Sequence, residues 1–259
     1  MKPTVLTTKQ TNAVYGTETK YECVKLFRTR SFSLTTIGLP LVFYVLFGIV
    51  MQPSFHDNGN FARSVVACYA CFGMMGATLF GIGVGVAAER AMGWLDLKRT
   101  SPLPMAAYLF SKCAAVAIFS VLILLLLVAT GVAFGGLSLT PVQFVAMLAM
   151  TVVGAVCLAP LGLLLALTVS ASAAPGVVNM MYLPMAFLGG LWMPLSILPH
   201  WISKVAPALP SYHLSQLMLR IYGSGYTDKL PMEAHWSYLA VFAAVTAALA
   251  CLRFRGVTK

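Results

Sequence analysis

Charge is what this sequence has least of. Asp and Glu together number 7, Lys and Arg 17, and charged residues make up only 9% of 259 positions. An ordinary soluble domain carries about 25%. Residues 64–88 hold no Asp, Glu, Lys or Arg, and neither do residues 113–203. Such runs exceed the ~20 residues that cross a ~30 Å hydrocarbon layer, and a soluble core could not hide them. Barrel strands alternate polar and apolar residues over about 10 positions, whereas these runs are continuously apolar. The chain therefore reads as an all-α polytopic membrane protein, in keeping with a mean hydropathy of +0.86.

Further absences narrow the chemistry. No Gly-Lys pair occurs, so the chain cannot build a P-loop. Any ATP that powers it, with its Mg, must bind another polypeptide, and no cofactor is expected on this chain. No ionisable residue lies mid-span, which counts against a proton-coupled carrier and an intramembrane hydrolase. Helix-borne His-x-x-x-His sets are missing, so no metal site is expected. The first 30 residues lack the apolar core of a cleavable signal peptide. None of the six cysteines falls in a predicted outer loop, which argues against a disulfide framework. Cys68-Tyr-Ala-Cys71 has the spacing of thiol redox chemistry, but it falls early in a span with no basic neighbour closer than Arg63. Two small packing residues are the plainer reading, and a membrane thiol-redox enzyme stays as an alternative, with a non-transporting scaffold or channel as a third.

What charge there is lies in a pattern. The net value of +10 would suggest nucleic acid for a soluble protein; here the positive-inside rule accounts for it, and no nucleic-acid partner is expected. Six spans are predicted, at about 35–51, 61–88, 108–134, 142–169, 177–193 and 236–252. Lys2, Lys9, Lys20, Lys25, Arg28 and Arg30 precede the first. Arg90, Lys98, Arg99 and Lys112 lie between the second and third, with Lys112 placed to snorkel. Arg253, Arg255 and Lys259 follow the last, and only Arg63, Lys204, Arg220 and Lys229 fall on the other side. Both termini are therefore predicted in the cytoplasm, with the lipid bilayer of a bacterial inner (plasma) membrane around the chain.

Three regions stand out from the spans. Residues 1–34 form a cytoplasmic N-terminus, Thr-rich and mobile over 1–16. Thr19-Lys-Tyr-Glu22 has the pattern of a capping box that starts a helix. Tyr21, Val24, Phe27 and Leu34 recur at near-helical spacing, with Lys20, Glu22, Lys25, Arg28 and Arg30 on the other face. That predicts an amphipathic helix in the membrane interface. The second region, 89–105, is a charged island long enough for about four helical turns. It carries Glu89, Arg90, Trp94, Leu95, Asp96, Leu97, Lys98 and Arg99 and is stopped by Pro102 and Pro104. The third, 194–231, is too apolar for a free loop and too interrupted to span. Its Pro194, Pro199, Trp201, Pro210 and Tyr212 predict short re-entrant helices before the last span. The membrane domain thus covers 35–252, and 253–259 is a cytoplasmic tail. Glycines crowd the second span at 73, 76, 81, 83 and 85, the mark of close helix packing in lipid.

Four pieces, in order, resemble the ABC-2 type permeases, the transmembrane subunits of ATP-binding-cassette exporters. They are the basic segment ending Phe27-Arg-Thr-Arg30; Glu89-Arg90 with Gly93-Trp-Leu-Asp-Leu97, Ser101-Pro-Leu-Pro104 and Lys112; Phe187-Leu-Gly-Gly-Leu-Trp-Met-Pro-Leu195 with Leu198-Pro-His-Trp201; and Leu209-Pro-Ser-Tyr-His213 with Arg220. The similarity spans about residues 19–252. It implies two permease subunits, paired as a homodimer, joined to two copies of an ATPase subunit. It implies that the N-terminal helix and the 89–105 island contact that ATPase. It also implies a path between the permeases lined by spans 1, 2 and 5, where Phe43, Tyr44, Met180 and Tyr182 fall. An uncharged path suits a hydrophobic or amphiphilic cargo such as a drug, an antibiotic or a lipid-like molecule; a glycan is the alternative.

Overall fold

The computed structural model describes residues 8–51, 60–100, 104–195 and 198–256, and among these every element is helical. The first helix, α1 (Thr8–Arg28), begins well before the expected start at Thr19. Thr19 is a mid-helix residue whose hydroxyl donates to the Tyr15 carbonyl at 2.8 Å. That i−4 back-bond is the alternative use of a threonine near a helix start. Residues 8–16, expected to be mobile, are helical even though Gly16 disfavours a helix by about 1 kcal/mol against Ala. Tyr15, Glu18, Glu22 and Leu26 recur every three or four residues on the inward side, and α1 lies along α6. Tyr15 meets Phe110 at 5.3 Å between ring centroids, and Phe27 meets Phe119 at 5.2 Å. Glu22, expected on a solvated face, is buried.

Thr29, with φ −77° and ψ 86°, breaks the chain between α1 and α2 (Arg30–Phe43). The Ser33 hydroxyl spans the break by donating to the Leu26 carbonyl at 2.7 Å. A π-helical segment, Tyr44–Val50, continues α2, so that Arg30–Val50 forms one apolar rod of 21 residues. Next come α3 (Asn60–Thr78), a second π segment (Leu79–Val84) and α4 (Gly85–Ala91) as one long helix. Almost all of its span is buried, 94% of the most apolar window, so this glycine-rich rod is the axis of the molecule. Glycine is what lets the neighbours in. A Cβ on Gly73 would lie 2.6 Å from the Ile123 Cγ2, and one on Gly162 would lie 3.3 Å from the Thr78 carbonyl oxygen.

After α5 (Trp94–Thr100), α6 (Met105–Phe134) and α7 (Pro141–Thr168) pack on the axis. The start of α7 is a capping box in which Thr140 and Gln143 exchange bonds, with Pro141 at the first helical position. The helix runs on through Pro160 without a break. Then follow α8 (Ala174–Leu188), α9 (His200–Val205), a 3₁₀ turn (Ala206–Ala208), α10 (Pro210–Tyr222) and α11 (Met232–Gly256).

Among the described residues, five helices are long and apolar enough to cross a membrane: Arg30–Val50, Ser64–Ala91, Met105–Phe134, Pro141–Thr168 and Met232–Phe254. The expected fifth span of six corresponds to α8, which has 15 residues. At ~1.5 Å per residue it reaches about 22 Å, short of a ~30 Å core. The sequence stays apolar to Met193, but Gly190 adopts φ +74° and ends the helical path. Apolar run length and helix length differ here.

Candidate functional site

The charged island folds as two pieces rather than one four-turn helix. Gly93 takes φ +73°, its N–H bonds the Arg90 carbonyl at 3.1 Å, and the chain restarts as α5. A glycine in the left-handed region is the usual C-terminal stop of a helix. The turn sends α5 back over the ends of α4 and α6 and beside α1.

Beneath it lies a buried ion network. Lys112, two turns into α6, donates to Glu22 Oε2 at 2.6 Å and to Glu89 Oε1 at 2.5 Å. Lys25 also donates to Glu89 Oε1, and the Tyr108 hydroxyl donates to Glu89 Oε2 at 2.7 Å. Lys98 of α5 reaches Glu18 Oε2 at 2.9 Å and sits 4.7 Å from the Tyr108 ring centroid. Helices α1, α4, α5 and α6 are therefore joined through one set of charges. Glu22, Glu89 and Lys112 are all buried. Lys112 does not snorkel to the surface, because two carboxylates hold its ammonium inside. Arg90 serves the same end differently. Its guanidinium donates to the carbonyls of Leu167 at 2.7 Å and Val169 at 2.6 Å, which closes the open C-terminus of α7.

The island residues thus divide. Glu89, Arg90 and Lys98 are tied into the fold. Leu95 is 3% exposed, packed with Ile82, Val86, Tyr108 and Val116. Trp94 and Leu97 point the other way, 53% and 62% exposed. Pro102 lies outside the described residues, as do the side chains of Asp96 and Arg99. In the N-terminal set, Tyr21, Arg28 and Arg30 are exposed, Val24 is half-buried, and Phe27 is exposed on one side and against Phe119 on the other. Glu18, Lys25 and Tyr108 were not singled out as site residues. The available signal was Glu18 and Glu22 at i, i+4 on the helix that the lone charge at Lys112 would meet.

The residues expected on a substrate path are scattered. Tyr44 and Tyr182 are buried in the core, with the Tyr182 hydroxyl donating to the Phe72 carbonyl at 3.1 Å. Phe43 stacks on Phe72 at 6.1 Å and meets Trp192 at 5.6 Å. Met180 alone is open, 81% exposed on α8. Cys68 and Cys71 are free and buried in the same core, where they pack. In the short-helix region Pro210 opens α10 at its first turn and Pro194 is buried, while Pro199 and Trp201 are exposed. Tyr212 is buried and donates to Asp228.

Comparison with known proteins agrees with this architecture. A family model described as "ABC-2 family transporter protein" matches residues 52–252. Over 192 residues, 74% of this chain and 78% of the relative, the sequence is 27% identical to "Putative transport permease YvfS" of Bacillus subtilis (strain 168). The matched stretch holds the axis helix, the ion network on α4 and α6, and the short helices before α11. This multi-pass membrane protein belongs to the ABC-2 transporter family.

Proposed function

We propose that the chain is the permease subunit of an ATP-driven exporter and that the outward face of α5 is where a separate ATPase subunit docks. One observation carries the reading: Trp94 and Leu97 are presented to solvent by a two-turn helix whose inner side is fastened to α1, α4 and α6. An exposed tryptophan beside an exposed leucine has the anchor chemistry of an interface, where aromatic anchors contribute ~2 kcal/mol or more each. A push on α5 passes through Lys98 to α1 and through Leu95 to the axis helix, so the surface is stiffly coupled to the spans. Asp96, Arg99 and Pro102 would rim that contact.

The finer elements of the reading rest on the family and on charge. Two permease subunits and two ATPase subunits form the complex. Residues 177–193 make a sixth crossing, with α8 as its helical part, α9 and α10 dip into the outer leaflet, and α1 lies at the inner interface of a bacterial inner membrane with both termini in the cytoplasm. Met180 on the open face of α8 borders the path, and the cargo is hydrophobic or amphiphilic.

The test is co-purification with a P-loop ATPase subunit of the ATP-binding-cassette type co-expressed with this chain. Trp94→Ala with Leu97→Ala should lower ATPase recovery at least tenfold while membrane insertion and the thermal midpoint of the permease stay unchanged. Equal recovery would sink the docking assignment. ATP hydrolysis by the reconstituted complex across a panel of drugs and lipids would then identify the cargo class.

A further inference from the structure

At the end of the molecule away from α1 and α5, a second set of ionisable groups is shut inside the fold. His213 of α10 and His235 of α11 are both buried, His235 at 0% exposure. Their Nδ1 atoms lie 2.8 Å apart. His213 Nε2 faces the Pro207 carbonyl at 2.9 Å, and His235 Nε2 faces Asp228 Oδ1 at 3.2 Å. Arg220 donates to Asp228 Oδ1 at 2.6 Å, Tyr212 donates to Oδ2, and the Asp228 N–H donates to Gln216 Oε1 at 2.8 Å. Tyr238 stacks on His213 at 3.9 Å and donates to the Ala208 carbonyl at 2.5 Å. The other charged groups at this end of these elements, Lys204, Lys229 and Glu233, are exposed.

Ring protons are assigned from the partners each nitrogen faces. A carbonyl only accepts, so His213 Nε2 must carry hydrogen. A carboxylate only accepts, so His235 Nε2 must carry hydrogen too. Two ring nitrogens 2.8 Å apart need one hydrogen between them, not two and not none. The full set of contacts therefore requires three ring protons on two histidines, one more than two neutral rings supply. With two protons, one of the three contacts is lost; with four, the Nδ1 pair repels. Burial pushes His213 below the usual imidazole range, consistent with its being the neutral member.

We propose that His213 and His235 form a binding site for a single proton, which joins α10 and the Asp228 turn to the start of α11. The ligand is a proton from the compartment on that face, and its gain or loss sets how firmly the short-helix region is held on the last long helix. The assignment stands on hydrogen-bond geometry and does not depend on what the permease transports.

The experiment uses the full chain, ¹⁵N-labelled at histidine, in lipid nanodiscs. Ring ¹⁵N spectra are followed across about pH 5 to 8, the window in which imidazoles titrate. The expected acid-side state has His213 as the neutral Nε2–H tautomer and His235 as imidazolium, converting in one shared step to two neutral rings. Backbone amide protection in α10, corrected for intrinsic exchange, should fall about tenfold across that step, as expected when a charge-assisted hydrogen bond is lost. His213→Gln and His235→Gln assign the resonances; sequential carbon–nitrogen correlations assign them without any substitution if a variant fails to fold. Two neutral rings over the whole window, two rings titrating independently, or unchanged α10 protection across the step would overturn the proposal.

Discussion

At the residue scale, Lys112 and Lys25 touch the same Glu89 oxygen yet differ in surroundings. Lys112 is buried between two buried carboxylates, while Lys25 has a side chain 47% exposed. Removing one member of a buried ion set leaves the others uncompensated, at about 3–5 kcal/mol. Removing a solvated partner costs about 0–1 kcal/mol. Lys112→Ala should therefore lower the thermal midpoint of the detergent-solubilised protein severely, and Lys25→Ala only slightly. Similar losses for the two would show that Glu22 and Glu89 are wetter than their burial indicates. The sequence named Lys112 as a charge at a span entrance but gave it to the membrane surface. Its partners come from helices separated by up to 90 positions, and no local pattern reports a contact of that range.

At the element scale, the axis helix depends on glycine where α6 crosses it. A Cβ at Gly73 would stand 2.6 Å from Ile123 Cγ2, closer than carbon atoms pack, so Gly73→Ala forces the helices apart. Overpacking of this kind costs about 1–3 kcal/mol. Ile123→Ala opens the space, so the double variant should be more stable than the sum of the single losses predicts. Strict additivity in thermal or denaturant unfolding would show that the two sites do not meet. The glycine run was legible as a packing interface, because small residues in an apolar run have few other uses. Helix lengths were less so. Thr19 has the residue type of a cap but back-bonds inside α1, while the true capping box, Thr140 with Gln143, sat unread at the mouth of α7. Threonine serves both roles, and only the backbone path decides between them.

At the scale of the whole molecule, the two charge clusters lie at opposite ends of the long helices. The positive-inside count assigns the end with α1 and α5 to the cytoplasm. Green fluorescent protein fused after the C-terminus should then fluoresce, and alkaline phosphatase inserted after Lys229 should be active. The reverse pattern would mean either that the molecule is inverted or that α8 takes no part in a crossing, which a third reporter in the 89–105 island separates; both reporters on one side would deny α11 its crossing. The class of the protein, its long apolar helices and the position of the charged island were determined by the sequence alone, because the cost of charge in hydrocarbon leaves few places for it and the runs between are plain to count. Which island residues face out, which carboxylates hold Lys112, and that two distant histidines share a contact were decided only by the tertiary structure. Those facts depend on which faces of separate helices meet, and a helix of given composition can turn any of its faces toward a neighbour.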